Sequence, residues 1–198
     1  MIELSEKKKS LIREIVQIEW EMFSEVKNIG GRAACQEDPE TFRVMRVCQW
    51  MQLPEDVLES YLRDLKLAKD EGKNLMELKY ARMQGLIPPL KDLETLHIID
   101  EIARILVKWQ EELYKKYPKL LSRGRPLYSY QDTEYVKSFE TYIKAELETY
   151  SRRTLELYYK YLLDLKAKNI NGSEAIYECM VKYYGYDSLE DAERSMQT

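Results

Sequence analysis

Apolar residues recur along this chain at three- and four-residue spacing, the period of a helix with one buried face. The first such run starts at Ser5 and continues to about Lys27, with Leu11, Ile15, Ile18, Met22 and Val26 on one stripe and Ile12, Val16 and Phe23 beside it. Asn28 to Gly31 close it, since Asn and Gly tolerate the left-handed conformation that ends helices. Asp38 followed by Pro39 reads as an N-cap and first helical residue, opening a second helix that carries Phe42, Met45 and Val47 toward Met51. Pro54 restarts the chain into a third helix, with Val57, Leu58, Tyr61, Leu62 and Leu65 in phase until Gly72. A fourth, shorter one follows Asn74 and stops at Gly85.

Residues 86–90, "LIPPL", form a linker, because two successive prolines cannot sit inside a helix. Beyond it the spacing predicts a long helix from about Pro89 to Tyr117, with Leu93, Leu96, Ile99, Ile102, Leu106, Trp109 and Leu113 as its core stripe. Pro118 breaks it. A loop then leads to a helix starting near Asp132 and carrying Val136, Phe139, Ile143 and Leu147. Further helices span about 151–168 and 173–184, and a short capped one closes the chain.

Sliding the chain by 100 positions adds organisation to this list. "YLRDLK" at 61–66 falls on "YLLDLK" at 161–166, Glu40-Thr41-Phe42 on Glu140-Thr141-Tyr142, Gly72 on Gly172 and Gly85 on Gly185. Both pairs of glycines are expected where a helix must end. The expectation is an all-α protein of about nine helices in one domain, 1–198. It would consist of two pseudo-repeated four-helix halves, 5–85 and 89–185, joined by the linker at 86–90 and followed by a C-terminal helix.

Composition agrees with helices: seven glycines in 198 residues, and Leu, Glu, Lys, Ala, Met and Arg in abundance. The net charge of −4 divides evenly, each half carrying −2, so there is no basic block of the kind nucleic-acid binding concentrates. No apolar run approaches the ~20 residues of a membrane span. The opening "MIELSEKKKS" lacks the apolar stretch of a secretory leader, which makes the cytoplasm the expected address. Three cysteines, Cys35, Cys48 and Cys179, cannot all pair, which fits a reducing compartment.

Candidate chemistry is sparse. The single histidine, His97, lies three residues after Glu94, giving one copy of a Glu-x-x-His pair where a two-metal helical bundle needs two. No metal and no cofactor is implied. "NIGGRAACQED" at 28–38 resembles a phosphate-cradling loop, but Glu37 and Asp38 would repel an anion there, and a helix stop with Arg32 paired to a carboxylate is the simpler reading. "LLSRGRPLYSY" at 120–130 is sharper: Arg123 and Arg125 flank Gly124, and Tyr128 and Tyr130 follow, offering guanidinium forks beside flat faces. Two Gly-Arg turns, one per half, would face each other across a shared cleft; in the alternative each arginine bridges to the other half and locks the two together. Fourteen of the 16 tyrosines lie between 114 and 186. Tyr128, Tyr142 and Tyr150 are expected to reach a polar cleft beside Arg152 or Arg153.

The blocks "EWEMFSEVKNIGGRAACQEDPETFRVMR", "LPEDVLESYLRDL" and "RGRPLYSYQDTEYVKSFETYIKAELETYSRRTLELY" resemble an uncharacterised bacterial family known only as a domain of unknown function, with "GGRAACQ" and "RGRP" the most specific parts. The resemblance implies a bacterial, soluble, helical protein, and association of some relatives with nucleotidyltransferase-like domains. It brings no catalytic residues.

Two function classes follow. The first is a non-enzymatic binding or interaction module, with an accessory role beside a nucleotidyltransferase-like protein as the expectation that the resemblance adds. Its cleft between the halves would take a small anionic or aromatic ligand or a partner segment through Arg32, Arg123, Arg125, Tyr128, Tyr142, Tyr150, Arg152 and Arg153. The second is a metal-independent enzyme in the same cleft, with Glu40 and Glu140 as bases and Tyr142 as acid. Burial discriminates: an unpartnered carboxylate deep in an arginine-lined pocket favours the enzyme, and fully bridged arginines favour the module.

Overall fold

The computed structural model describes residues 4–27 and 34–196, and among these there are ten α-helices and no strand. They are α1 Glu6–Ser24, α2 Pro39–Met51, α3 Glu55–Asp70, α4 Leu75–Met83, α5 Leu93–Lys116, α6 Pro118–Leu121, α7 Phe139–Leu147, α8 Arg152–Ala167, α9 Gly172–Tyr183 and α10 Leu189–Ser195. The turn of α6 brings the total above the nine read from periodicity. No helix among the described residues is long and apolar enough to cross a membrane.

Most starts are set by a side chain that accepts an otherwise orphan backbone N–H. Ser5, Asp38, Asn74, Asp92, Ser138, Ser151, Asn171 and Ser188 each do so. The expected start near Asp132 moves to Ser138. Asp132 instead accepts the Ser138 amide at 2.7 Å and the Thr141 hydroxyl at 2.7 Å, tying the preceding loop onto the first turn of α7. Val136, expected on the apolar stripe of that helix, is therefore in the loop and exposed. Leu93, expected in the core, is 87% exposed because α5 begins at that residue, ahead of its first packed turn.

Gly72 ends α3 in the left-handed region at φ 67°, as expected. Its letter match Gly172 does not end a helix; it opens α9. A Cβ on Gly172 would lie 2.9 Å from the Trp109 ring and 2.8 Å from Leu165, so close packing explains this glycine. The left-handed residue after α8 is Asn169, at φ 55°. Between α3 and α4 the left-handed residue and the following cap are Gly72 and Asn74; between α8 and α9 they are Asn169 and Asn171.

Helix α1 packs on α2, α3 and α4, and α5 packs on α7, α8 and α9; across the middle α2 meets α9, α3 meets α8 and α4 meets α7. One continuous apolar core runs through all of this, including Ile15, Trp50, Leu58, Leu65, Ile102, Leu147, Leu155 and Leu162. A smaller cluster of Leu113, Tyr117, Leu121, Val181, Leu189 and Ala192 fastens α6 and α10 to one end. The Pro-Pro linker is pinned, since Glu148 accepts both the Leu90 amide and Arg82 Nε at 2.9 Å.

Cys48 on α2 and Cys179 on α9 form a disulfide with Cα atoms 5.5 Å apart. The sequence reading, that the three cysteines cannot all pair, named no partners: α2 packs against α9 and sets the two sulfurs side by side although 131 residues separate them in sequence, a proximity that spacing could not reveal.

Candidate functional site

Four charged side chains meet in the interior. Glu19 of α1, Arg46 of α2, Lys79 of α4 and Glu146 of α7 are each no more than 6% exposed. Arg46 lies between the two carboxylates: Nε donates to Glu19 Oε2 at 2.9 Å, Nη2 to Glu19 Oε1, and Nη1 to Glu146 Oε1 at 3.0 Å. Lys79 Nζ donates to Glu146 Oε2 at 2.5 Å. The remaining carboxylate sites are filled by aromatic donors. Trp50 Nε1 and the Tyr61 hydroxyl donate to Glu19 at 3.0 and 2.9 Å, and the Tyr150 hydroxyl donates to Glu146 at 2.9 Å.

Two anions and two cations sum to zero, which is what allows them to remain charged away from water. Desolvation pushes the Glu146 carboxyl up, but the charges of Arg46 and Lys79 outweigh it and hold its pKa far below the usual carboxylate range. Burial likewise works against the Lys79 ammonium, and Glu146 more than offsets it, raising its pKa. Burial, helped by Glu19 and Glu146, pushes the Tyr61 and Tyr150 phenols upward. None of these shifts moves Glu146, Lys79, Tyr61 or Tyr150 toward neutral pH.

Sequence reasoning missed this cluster apart from Tyr150. A signal for it exists. Glu19 follows Ile15 by four residues and precedes Phe23 by four; Arg46 precedes Trp50 by four; Glu146 follows Ile143 by three and precedes Tyr150 by four; Lys79 follows Leu75 by four. Each is a lone charge placed within an apolar stripe.

Part of the expected ligand set joins the edge of this cluster. The Tyr142 hydroxyl accepts from Lys79 Nζ at 2.5 Å, and the Arg125 guanidinium lies 4.9 Å from the centre of the same ring. Arg125 also donates to the Lys137 carbonyl at 3.0 Å, so it is held within its own loop. Arg125, Tyr142 and Tyr150 are thus linked through Lys79 and Glu146. Tyr128 stacks on the exposed Tyr130 with ring centres 5.3 Å apart, and Arg123 is exposed. Arg152 sits elsewhere, gripping Glu94 at the start of α5 through two 2.8 Å bonds and Glu156 on its own helix at 3.0 Å. Arg153 is exposed beside it. Arg32 lies outside the described residues, and with it the expectation of two facing Gly-Arg turns.

The carboxylates considered as bases are both already paired, Glu40 at the surface and Glu140 partly buried. Glu40 accepts from Arg43 at 2.8 Å and from the Tyr183 hydroxyl, and the Arg43 bond holds its pKa down. Burial works to raise the Glu140 pKa, but the Ser129 amide at 2.9 Å and Lys144 at 3.2 Å bring it below the ordinary value. His97 is exposed on α5. Among the described residues, no three or more His, Cys, Asp or Glu side chains gather in a way that could hold a metal ion.

A concave site does exist, on the outer side of α1 and α2. There a groove of about 440 Å³ is walled by Ile12, Val16, Trp20, Phe42, Val47 and Met51, with Leu4 and Pro39 at its ends. Trp20 and Phe42 pack with ring centres 5.3 Å apart, and Phe42 stacks on the buried Phe23 at 5.0 Å. The polar members of the lining are Lys9, Arg13, Gln17 and Arg43.

No curated protein and no solved structure matches the chain. A family model does, along residues 9–194, so nearly the whole length described above falls within it. The chain belongs to the DUF4125 family, proteins of unknown function.

Proposed function

We propose that the chain is a non-catalytic binding module, whose ligand site is the groove between α1 and α2. The observation that carries this reading is a contrast between two places. The interior charges are closed on one another, while the groove is a preformed apolar concavity with a few polar groups at its edge, in the size range of roughly 300–1,000 Å³ typical of small-molecule sites. The cleft imagined between the halves is instead occupied by the Glu19–Arg46–Glu146–Lys79 cluster.

The module is built on two like halves, α1–α4 and α5 with α7–α9. Support for this comes from packing: α1 touches its three companions as α5 touches its own, and the cross-contacts α2 with α9 and α4 with α7 exchange under a two-fold operation while α3 with α8 maps onto itself. In the bacterial cytoplasm, the address read from the sequence, reducing thiols would work against the Cys48–Cys179 bond, whose Cys48 end is buried.

The acid–base reading on Glu40, Glu140 and Tyr142 has less support. Both carboxyls are held below their ordinary pKa, which weakens them as bases, and each is already paired with a cation, Glu40 with Arg43 and Glu140 with Lys144.

A thermal-shift screen of amino acids, nucleotides and hydrophobic acids tests the reading, using Val47→Trp to fill the groove. Compounds that raise the melting temperature of the native chain should lose that effect in the variant, with circular dichroism confirming that it is folded. Shifts retained in full by Val47→Trp would overturn the groove as the site.

A further inference from the structure

We infer that the α1–α2 groove takes a small amphipathic anion: one carboxylate-like head on a hydrocarbon body. The inference rests on the binding-module reading and specifies its ligand. The walls are hydrocarbon and indole, which select an apolar body of modest size and offer nothing to the several hydroxyls of a sugar or a free nucleotide. Every charged residue in the described lining is a cation, namely Lys9, Arg13 and Arg43, and no Asp or Glu is among them. Glu6 and Glu40 lie just outside it against Lys9 and Arg43, so what favours an anionic head over a cationic one is Arg13 and the lack of a carboxylate among the described lining residues.

The three cations differ in availability. Lys9 holds Glu6 on its own helix at 2.7 Å, and Arg43 holds Glu40 at 2.8 Å. Arg13 is exposed and, although its charge reaches Glu6, it makes no ion pair with a described residue, so its planar fork can turn to a carboxylate in a two-bond geometry. Arg13 sits one turn after Lys9 and one turn before Gln17 on α1, along the row of α1 side chains that borders the groove. A head held by Arg13 leaves its tail over Trp20 and Phe42.

The experiment compares three ten-carbon chains that differ only in the head: decanoate, decanol and decylammonium, each below its micelle concentration. Binding to the full chain is read from tryptophan fluorescence and from melting temperature, with Trp20→Phe assigning the fluorescence change to the groove. Decanoate should bind saturably, at least tenfold tighter than either of the others. Arg13→Glu, at an exposed position, should weaken decanoate at least tenfold and erase its advantage over decanol, and Val47→Trp should abolish binding.

Equal affinity for decanoate and decanol, both lost in Val47→Trp, overturns the anionic head while leaving the groove as a binding site. Decanoate affinity unchanged in Val47→Trp overturns the groove itself. Absence of saturable decanoate binding overturns the inference. So does a concentration-dependent dimer that Val47→Trp dissolves, because the occupant would then be a second copy of the chain.

Discussion

Glu146 is the residue on which the interior depends. It receives Arg46, Lys79 and Tyr150 from three directions while only 2% exposed. Removing one member of a buried ion cluster strands the others, which costs about 3–5 kcal/mol, far more than the ~0–1 kcal/mol of a surface pair. Glu146→Gln should therefore lower the urea midpoint strongly, whereas Glu101→Gln, which breaks an exposed pair with Arg104, should leave it almost unchanged. The pH dependence has a definite sign. The folded pKa of Glu146 lies below its unfolded value of about 4.5, so its contribution is complete above that pH and is lost as the pH falls through the folded value. Urea melts of the native chain and of Glu146→Gln should thus converge as the pH is lowered below about 4.5. A gap that stays constant down to pH 2 would show that the charge is not what stabilises.

At the scale of elements, the two glycines that share a position in the letter alignment serve different ends, and substitution separates them. Gly172→Ala must displace the Trp109 ring, which is buried and confined, and should cost about 1–3 kcal/mol by overpacking. Gly72→Ala meets nothing within 4 Å and costs only the left-handed backbone penalty, about 1 kcal/mol. Differential scanning calorimetry of both variants orders them. This pair also illustrates what sequence could convey. Helix existence was legible because stripe, cap and stop residues agree locally, as with Ser5, Asp38–Pro39 and Gly185. The start of α7 was not, because Asp132 and Ser138 are both good caps and only the loop's own bonds decide between them. The ion cluster was hidden for a different reason. A lone charge in an apolar stripe reads as an interruption until a partner 100 positions away, as Arg46 has in Glu146, is known to face it. Arg125 and Tyr142 were singled out because arginine in one loop and tyrosine through the second half of the chain are conspicuous in composition, yet their neighbour Lys79 was not.

Across the whole molecule, the Cys48–Cys179 bond closes the longest covalent loop and joins helices from opposite ends of the chain. Constraining the unfolded chain over such a loop is worth about 2–5 kcal/mol in the chain-entropy account. Reduction by dithiothreitol, or Cys48→Ala, should lower the melting temperature accordingly while leaving helical content intact, since the continuous apolar core that joins the helices does not run through the disulfide. A reduced chain that melts at the oxidised temperature would show that α2 is held on α9 by packing alone. The position of α2 carries this to ligand binding. One side of that helix is anchored inward by Arg46 and Trp50, another is stitched to α9 through Cys48, and the third presents Phe42, Val47 and Met51 outward. A wall fastened on two sides cannot yield to a guest. Under the proposed binding role, recognition in the groove would be by fit to a rigid mould: little ordering entropy would be lost on entry, and a tail too long for the space would be left protruding into water.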